Sequence, residues 1–144
     1  MQPEVNSVFV YGTLRLGGPR HDAFLGPHLT GPPVPAVLRA ARLHAGPGFP
    51  YLAPGDPHET VTGELVTVSC GSWARVLRDL DRMEGHLAHK PERGLYTRRL
   101  VRVLAGTGQT RAAWTYFAGP AVIAELRPGT VVVGGDWFAR PVRP

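Results

Sequence analysis

The sequence holds one cysteine, one lysine and no apolar stretch longer than a strand. Cys70 on its own cannot close an intramolecular disulfide. No neighbouring Cys or His gives metal-ligand spacing, so a small half-buried residue is expected there. A membrane helix needs about 20 consecutive apolar residues, and none is present. The opening MQPEV lacks a basic segment followed by an apolar one. A cytoplasmic protein without a membrane partner is the expectation. With Lys90 the only lysine, the formal charge of +5 comes from arginines scattered along the chain. They favour acidic ligands over nucleic acid, because no basic and aromatic patch is concentrated anywhere.

What is present fits one core. A chain of 144 residues, 43% hydrophobic, is long enough for one domain and short for two, so residues 1–144 are read as a single domain. Its organising stretch is VFVYGTLR, Val8 to Arg15. Val8, Phe9, Val10 and Tyr11 read as a short strand buried on both faces, which Gly12 breaks. Gly12 permits a backbone conformation closed to other residues and exposes successive N–H groups; Thr13 adds a hydroxyl and Arg15 a charge. The combination suits an anionic ligand, although an ordinary turn after a strand has the same pattern.

Leu16 to Leu29 is too broken by Gly and Pro for more than a turn or two of helix, and is expected to wrap the mouth of a pocket. His21 and Asp22 within it are adjacent, and a solvated or capping role is preferred to an acid–base pair. Val34 to Ala45 is read as a strand between loops, and the proline-rich Gly46 to Pro57 as an extended irregular segment. Tyr51 there either plugs the core edge or walls a pocket. Val61 to Val68 alternates as a strand, with Gly63 marking a bulge or a close backbone approach.

The clear helix spans about Ser72 to Met83, with Trp73, Val76, Leu77, Leu80 and Met83 on one stripe. Glu84 lies four residues after Leu80. If the helix extends one more step, the carboxylate projects inward beside the core, and Gly85 stands where a left-handed cap would end the helix. Burial and the negative helix end would both raise its pKa, making it a general acid and base near neutrality. A helix stopping at Met83 would leave Glu84 exposed instead. The polar insert His86 to Gly94 follows; His86 and His89 lack a third ligand for a metal. Leu95 to Leu104 and Arg111 to Phe117 predict a hairpin that carries Tyr96 and Tyr116, either at opposite ends or on one face. Leu126 to Val133 reads as a turn and closing strand, and Gly134 to Phe138 as a loop packing Trp137 onto the body.

VFVYGTLR with its GGP, the GEL at Gly63 to Leu65, LDRMEG at Leu80 to Gly85, the strand at Tyr96, AWTY at Ala113 to Tyr116 and the late GDW together resemble the γ-glutamylcyclotransferase family (AIG2-like) over nearly the whole chain. The resemblance implies an α+β fold, a small mixed β-barrel with flanking helices, in which the YGTL loop faces the helix-end glutamate across a pocket. It implies that Tyr11, Gly12, Thr13 and Leu14 hold a γ-glutamyl group, that Glu84 transfers the proton, and that Tyr116 and Tyr51 line the pocket; Arg15 would attract an acidic ligand. The implied chemistry is cyclisation of a γ-glutamyl amide to 5-oxoproline, with no cofactor and a small-molecule γ-glutamyl substrate as the partner. γ-Glutamyl transfer or deprotection, and a non-catalytic binding module of the same fold, are the alternatives. The His86 to Gly94 insert is longer than the connection many members carry and would reshape the pocket rim.

Overall fold

The computed structural model describes residues 4–87, 89–90, 93–106 and 108–140. Seven strands and three short or medium helices follow in order. They are β1 (Ser7–Val10), α1 (His21–Phe24), β2 (Val34–Arg39), β3 (Ala41–Ala45), β4 (Pro50–Pro54), β5 (Thr60–Thr67), α2 (Trp73–Glu84), β6 (Tyr96–Ala105), β7 (Thr110–Ala118) and α3 (Pro120–Ile123). Five strands close a barrel in the order β1-β5-β2-β6-β7. Neighbours run antiparallel except β1 and β7, which are parallel and share one backbone pair, Val8 with Trp114. Side chains strengthen that thin seam. The Thr115 hydroxyl donates to the Phe9 carbonyl at 2.9 Å, and the Tyr11 hydroxyl to the Tyr116 carbonyl.

The unbroken apolar run of β1 follows from its place between two cores. Alternate residues of a strand face opposite sides. Phe9 and Tyr11 join the barrel interior with Leu38, Val61 and Val103. Val8 and Val10 face outward onto α2, where Trp73, Val76 and Leu80 cover them. Val8, Phe9, Val10 and Tyr11 are all buried, as the apolar run predicts, although the strand itself starts at Ser7 and ends at Val10. Gly63 marks a close approach, since a Cβ there would lie 2.2 Å from the Val10 carbonyl oxygen.

Four expectations change. Val34 to Ala45 is two strands, because Ala40 takes a left-handed φ of 56° that turns β3 out of the barrel. The proline-rich segment is not irregular throughout. Pro50 and Pro54 occupy the first and last positions of β4, where a missing N–H costs least, and the strand pairs with β3 from Ala45↔Pro50 to Ala41↔Pro54. Leu126 to Val133 forms no strand; Pro128–Thr130 is a 3₁₀ turn, and the segment reaches the hairpin through a bridge from Val131 to His44 and a 2.8 Å hydrogen bond between the Thr130 hydroxyl and His44 Nδ1. Cys70 is exposed and not half-buried, because the chain there is turning between β5 and α2. The predicted helix and the hairpin of β6 and β7 lie where expected, and Trp137 is buried against the barrel interior. Among the described residues no helix is long and apolar enough to cross a membrane.

Candidate active site

A cavity of about 140 Å³ opens at the C-terminal end of β1. The YGTL loop forms one side of it, the end of α2 another, and the starts of β4 and β6 with Tyr116 of β7 the rest. A second cleft of about 730 Å³ lies between the β3–β4 turn and the Trp137 turn. It is larger, but Arg140 is its one titratable side chain among the described residues. The smaller cavity brings together Glu84, Arg20 and three tyrosines, and is where the chemistry is concentrated.

Glu84 is placed by the way α2 ends. Gly85 sits in the left-handed region at φ 68°. Its N–H donates to the Arg82 carbonyl at 3.2 Å, and that of His86 to the Asp81 carbonyl at 2.8 Å. These are the paired bonds of a Schellman cap, which hold the helix through Glu84 and stop it there. The apolar stripe therefore carries its register one step further into an acid facing the cavity. Among the described residues the carboxyl accepts no hydrogen bond, and burial pushes its pKa up to about 7 although the Arg20 charge pulls it down.

The loop opposite is tightly folded. Arg15 N–H donates to the Gly12 carbonyl at 3.1 Å, Gly18 N–H to that of Arg15 at 2.7 Å, and Arg20 N–H to that of Thr13 at 2.9 Å. The N–H groups of Gly12, Thr13 and Leu14 engage no acceptor among the described residues, and all three residues line the cavity. Gly12 does not use a positive φ, contrary to expectation. It is needed for space, since a Cβ would lie 2.6 Å from Cγ of Pro50. His21, expected in a solvated or capping role, is buried, and its Nδ1–H donates to the Leu14 carbonyl at 2.9 Å, tying α1 to the loop.

The tyrosines form a bonded wall. Tyr96 and Tyr116 lie on one face at the same end of the hairpin, in register with Ala118 and Arg98 respectively. The Tyr116 hydroxyl donates to Oδ1 of Asp81 at 2.6 Å, and Arg98 Nε donates to the same oxygen at 2.9 Å. The Tyr96 hydroxyl donates to the Pro50 carbonyl at 2.8 Å. Burial raises the pKa of Tyr11, Tyr96 and Tyr116, so all three stay neutral.

Two expected site residues lie elsewhere. Tyr51 is not on the cavity wall; its ring stacks on Tyr96 at 5.6 Å, while Phe49 and Pro50 take the lining positions. Arg15 is turned away and engaged. Nε bonds Glu64 at 3.1 Å, Nη1 bonds Asp136 at 2.8 Å, and the guanidinium covers the Phe138 ring at 4.2 Å. Removing it takes the cation from two carboxylates, one on a side chain only 13% exposed, and among the described residues leaves each with a single backbone N–H donor, Leu16 for Glu64 and Phe138 for Asp136. Arg15→Met is expected to cost about 2 kcal/mol in urea denaturation, with the effect falling on stability and not on substrate affinity; a raised KM at unchanged stability would return Arg15 to the site.

Sequence reasoning missed Arg20, which takes the cationic place that Arg15 does not, and Asp81, which holds Tyr116. The sign of Arg20 was the glycine pair before it, where Gly17 at φ 87° and the crowded Gly18 fold the chain back on Thr13. Asp81 lies one helical turn before Glu84. Among the described residues no cluster of His, Cys, Asp or Glu could hold a metal. His86 Nδ1 instead accepts from the Arg98 N–H at 3.1 Å. Ala88, Pro91 and Glu92 of the insert lie outside the described residues.

Comparison with known proteins agrees with this architecture. No curated sequence matches the chain. Among solved structures, YkqA from Bacillus subtilis is similar at 22% identity and TM-score 0.63 over 92% of this chain, which spans 39% of that protein's length. An uncharacterised protein from Pyrococcus horikoshii matches at 21% identity and TM-score 0.57, covering 91% of this chain and 88% of its own. An AIG2-like protein from Mus musculus matches at 25% identity and TM-score 0.58, covering 98% and 87%. The family model for γ-glutamyl cyclotransferase, AIG2-like, matches residues 8–139, from β1 through the Trp137 turn. The chain belongs to the γ-glutamyl cyclotransferase, AIG2-like family.

Proposed function

We propose that the protein cyclises a γ-glutamyl amide to 5-oxoproline and releases an amine or amino acid, with Glu84 as its general acid and base. The observation that carries this is a carboxyl with a pKa of about 7 and no hydrogen-bond partner among the described residues, lining the same cavity as three unclaimed backbone N–H groups. The substrate supplies its own nucleophile. Its α-amine nitrogen attacks the γ-carbonyl carbon, a five-membered lactam closes, and the bond from that carbon to the leaving nitrogen breaks. Glu84 takes the proton that the α-amine loses and returns it to the leaving nitrogen, so no net proton is consumed.

The protein's contribution is position and electrostatics. Holding the curled substrate recovers part of the roughly 7–11 kcal/mol that well-oriented intramolecular reactions gain. The N–H groups of Gly12 to Leu14 are suited to the oxyanion that develops on the γ-carbonyl oxygen. Tyr11, Tyr96 and Tyr116 stay neutral and add no charge to compete with it.

The test is release of 5-oxoproline from γ-glutamyl amino acids, γ-glutamyl amines and glutathione. Turnover of one of these supports cyclisation, and kcat/KM should rise with pH to half its plateau near 7, as Glu84 loses its proton. A γ-glutamyl product on a second amine, without 5-oxoproline, would replace cyclisation by acyl transfer. A folded protein inert towards every compound would leave a binding module.

A further inference from the structure

We propose that Arg20 is a specificity-determining residue that receives the carboxylate of the leaving group, so that the preferred substrates are γ-glutamyl amino acids and not simple γ-glutamyl amines; this assignment rests on the cyclisation reading above. Among the described residues, two that line the cavity carry charged side chains, Glu84 and Arg20. They have opposite signs and stand on different elements. Among the described residues they form no ion pair with each other, and Arg20 forms none with any other carboxylate. Among the described residues its one side-chain hydrogen bond goes to the Met83 thioether, a weak acceptor. A cation in this position is unspent.

Its backbone is fixed although its side chain is exposed. Gly17 takes φ 87°, and Gly18 has no room for a Cβ, with the Thr13 carbonyl oxygen 2.5 Å from where one would sit. This fold-back puts the Arg20 N–H on the Thr13 carbonyl, beside the proposed oxyanion donors, while Arg20 O accepts from Phe24 N–H at 3.2 Å and starts α1. The guanidinium is thereby delivered to the cavity from a pinned main chain.

The rim position decides which carboxylate it meets. Cyclisation needs the α-amine and γ-carbonyl at Glu84 and the loop amides, and the leaving group then extends outward. An amino acid leaving group carries its carboxylate one carbon from the departing nitrogen, within the fork geometry of an arginine. A plain amine leaves that fork empty.

The experiment compares γ-glutamyl-alanine with γ-glutamyl-ethylamide, which differ only in that carboxylate. With the wild-type protein, kcat/KM should favour the alanine compound by about tenfold or more, as a charge-assisted hydrogen bond provides. Arg20→Gln should bring the ratio close to one through KM, and Arg20→Lys should restore part of it. Rising salt should shrink the ratio, because the site is exposed. Equal wild-type rates, or an equal loss on both compounds in Arg20→Gln, would overturn the assignment; the latter would move Arg20 to the α-carboxylate common to both. Calorimetric binding in a Glu84→Gln background separates this from the reaction itself. Arg20-dependent preference for the alanine compound without turnover in the wild type would sink cyclisation and keep Arg20. Absence of binding by either compound would overturn both.

Discussion

Glu84→Gln is expected to keep the fold, lose turnover by about 10²–10⁴-fold as removal of a general acid–base does, and become more stable than the wild type at neutral and alkaline pH. The amide has the shape of a neutral carboxyl but cannot take a proton from the α-amine. The stability gain follows from the raised pKa. In the unfolded chain this carboxyl titrates near 4.5, and in the folded protein near 7. Between those values the folded state binds more protons than the unfolded, so stability falls as pH rises through the window. Below about 4.5 the group is neutral in both states and the variant gains nothing. Above 7 the folded protein holds an ionised, desolvated carboxylate, and the gap corresponds to at most about 3 kcal/mol. The pair of curves to measure is Tm against pH for wild type and Glu84→Gln, coinciding at pH 4 and diverging by pH 8. Curves that stay together would mean that Glu84 is solvated, and wild-type turnover in the variant would remove it from the mechanism.

The same residue shows what was legible in the sequence. Trp73, Val76 and Leu80 at helical spacing locate the buried face of α2, and a residue four beyond Leu80 falls on that face only if the helix reaches it; spacing alone leaves a stop at Met83 equally open, and the left-handed cap at Gly85 is what carries the helix through Glu84. The apolar run of β1 is equally plain, because a strand between two cores needs no polar face. Arg15 and Arg20 show the limit. Both are cations near the same loop, and what separates them is Glu64 and Asp136, which lie 49 and 121 residues from Arg15 and bond it in the folded chain only. Charge is local information, whereas partnership is set by the barrel. The hairpin of β3 and β4 failed to show for a related reason. Its prolines read as breakers, and their placement at the two ends of β4 is fixed by pairing with Ala45 and Ala41. Ala40 is harder still, since nothing in an alanine announces a φ of 56°. Phe49, Pro50 and Tyr51 follow one another on one short segment, and a shift by one position decides which residue reaches the cavity.

Gly12→Val is the second large effect. An ordinary glycine argument would rest on backbone freedom, but Gly12 is outside the left-handed region. What it lacks is room. A Cβ at this position would stand 2.6 Å from Cγ and 2.7 Å from Cδ of Pro50, a ring that cannot swing aside as a long side chain can. Pro50 starts β4, lines the cavity, and accepts the Tyr96 hydroxyl through its carbonyl. The two extra methyls of valine must therefore push β4 and the Tyr96 wall away from the loop, or push the loop amides away from the oxyanion they are proposed to meet. Overpacking of this kind costs about 1–3 kcal/mol, so the variant should still fold with a lowered urea midpoint. Its larger consequence is functional. Displacement of the loop by a few tenths of an ångström misaligns the N–H groups of Gly12 to Leu14 with the γ-carbonyl, and kcat/KM should fall by about 10²-fold or more, in the range seen when one oxyanion donor is lost. Gly12→Ala, with the same Cβ and no branches, should fall between valine and wild type in both stability and rate. Steady-state kinetics and urea denaturation on the three proteins check this ordering. A valine variant that loses stability and retains wild-type kcat/KM would show that the loop packs the barrel without serving the substrate.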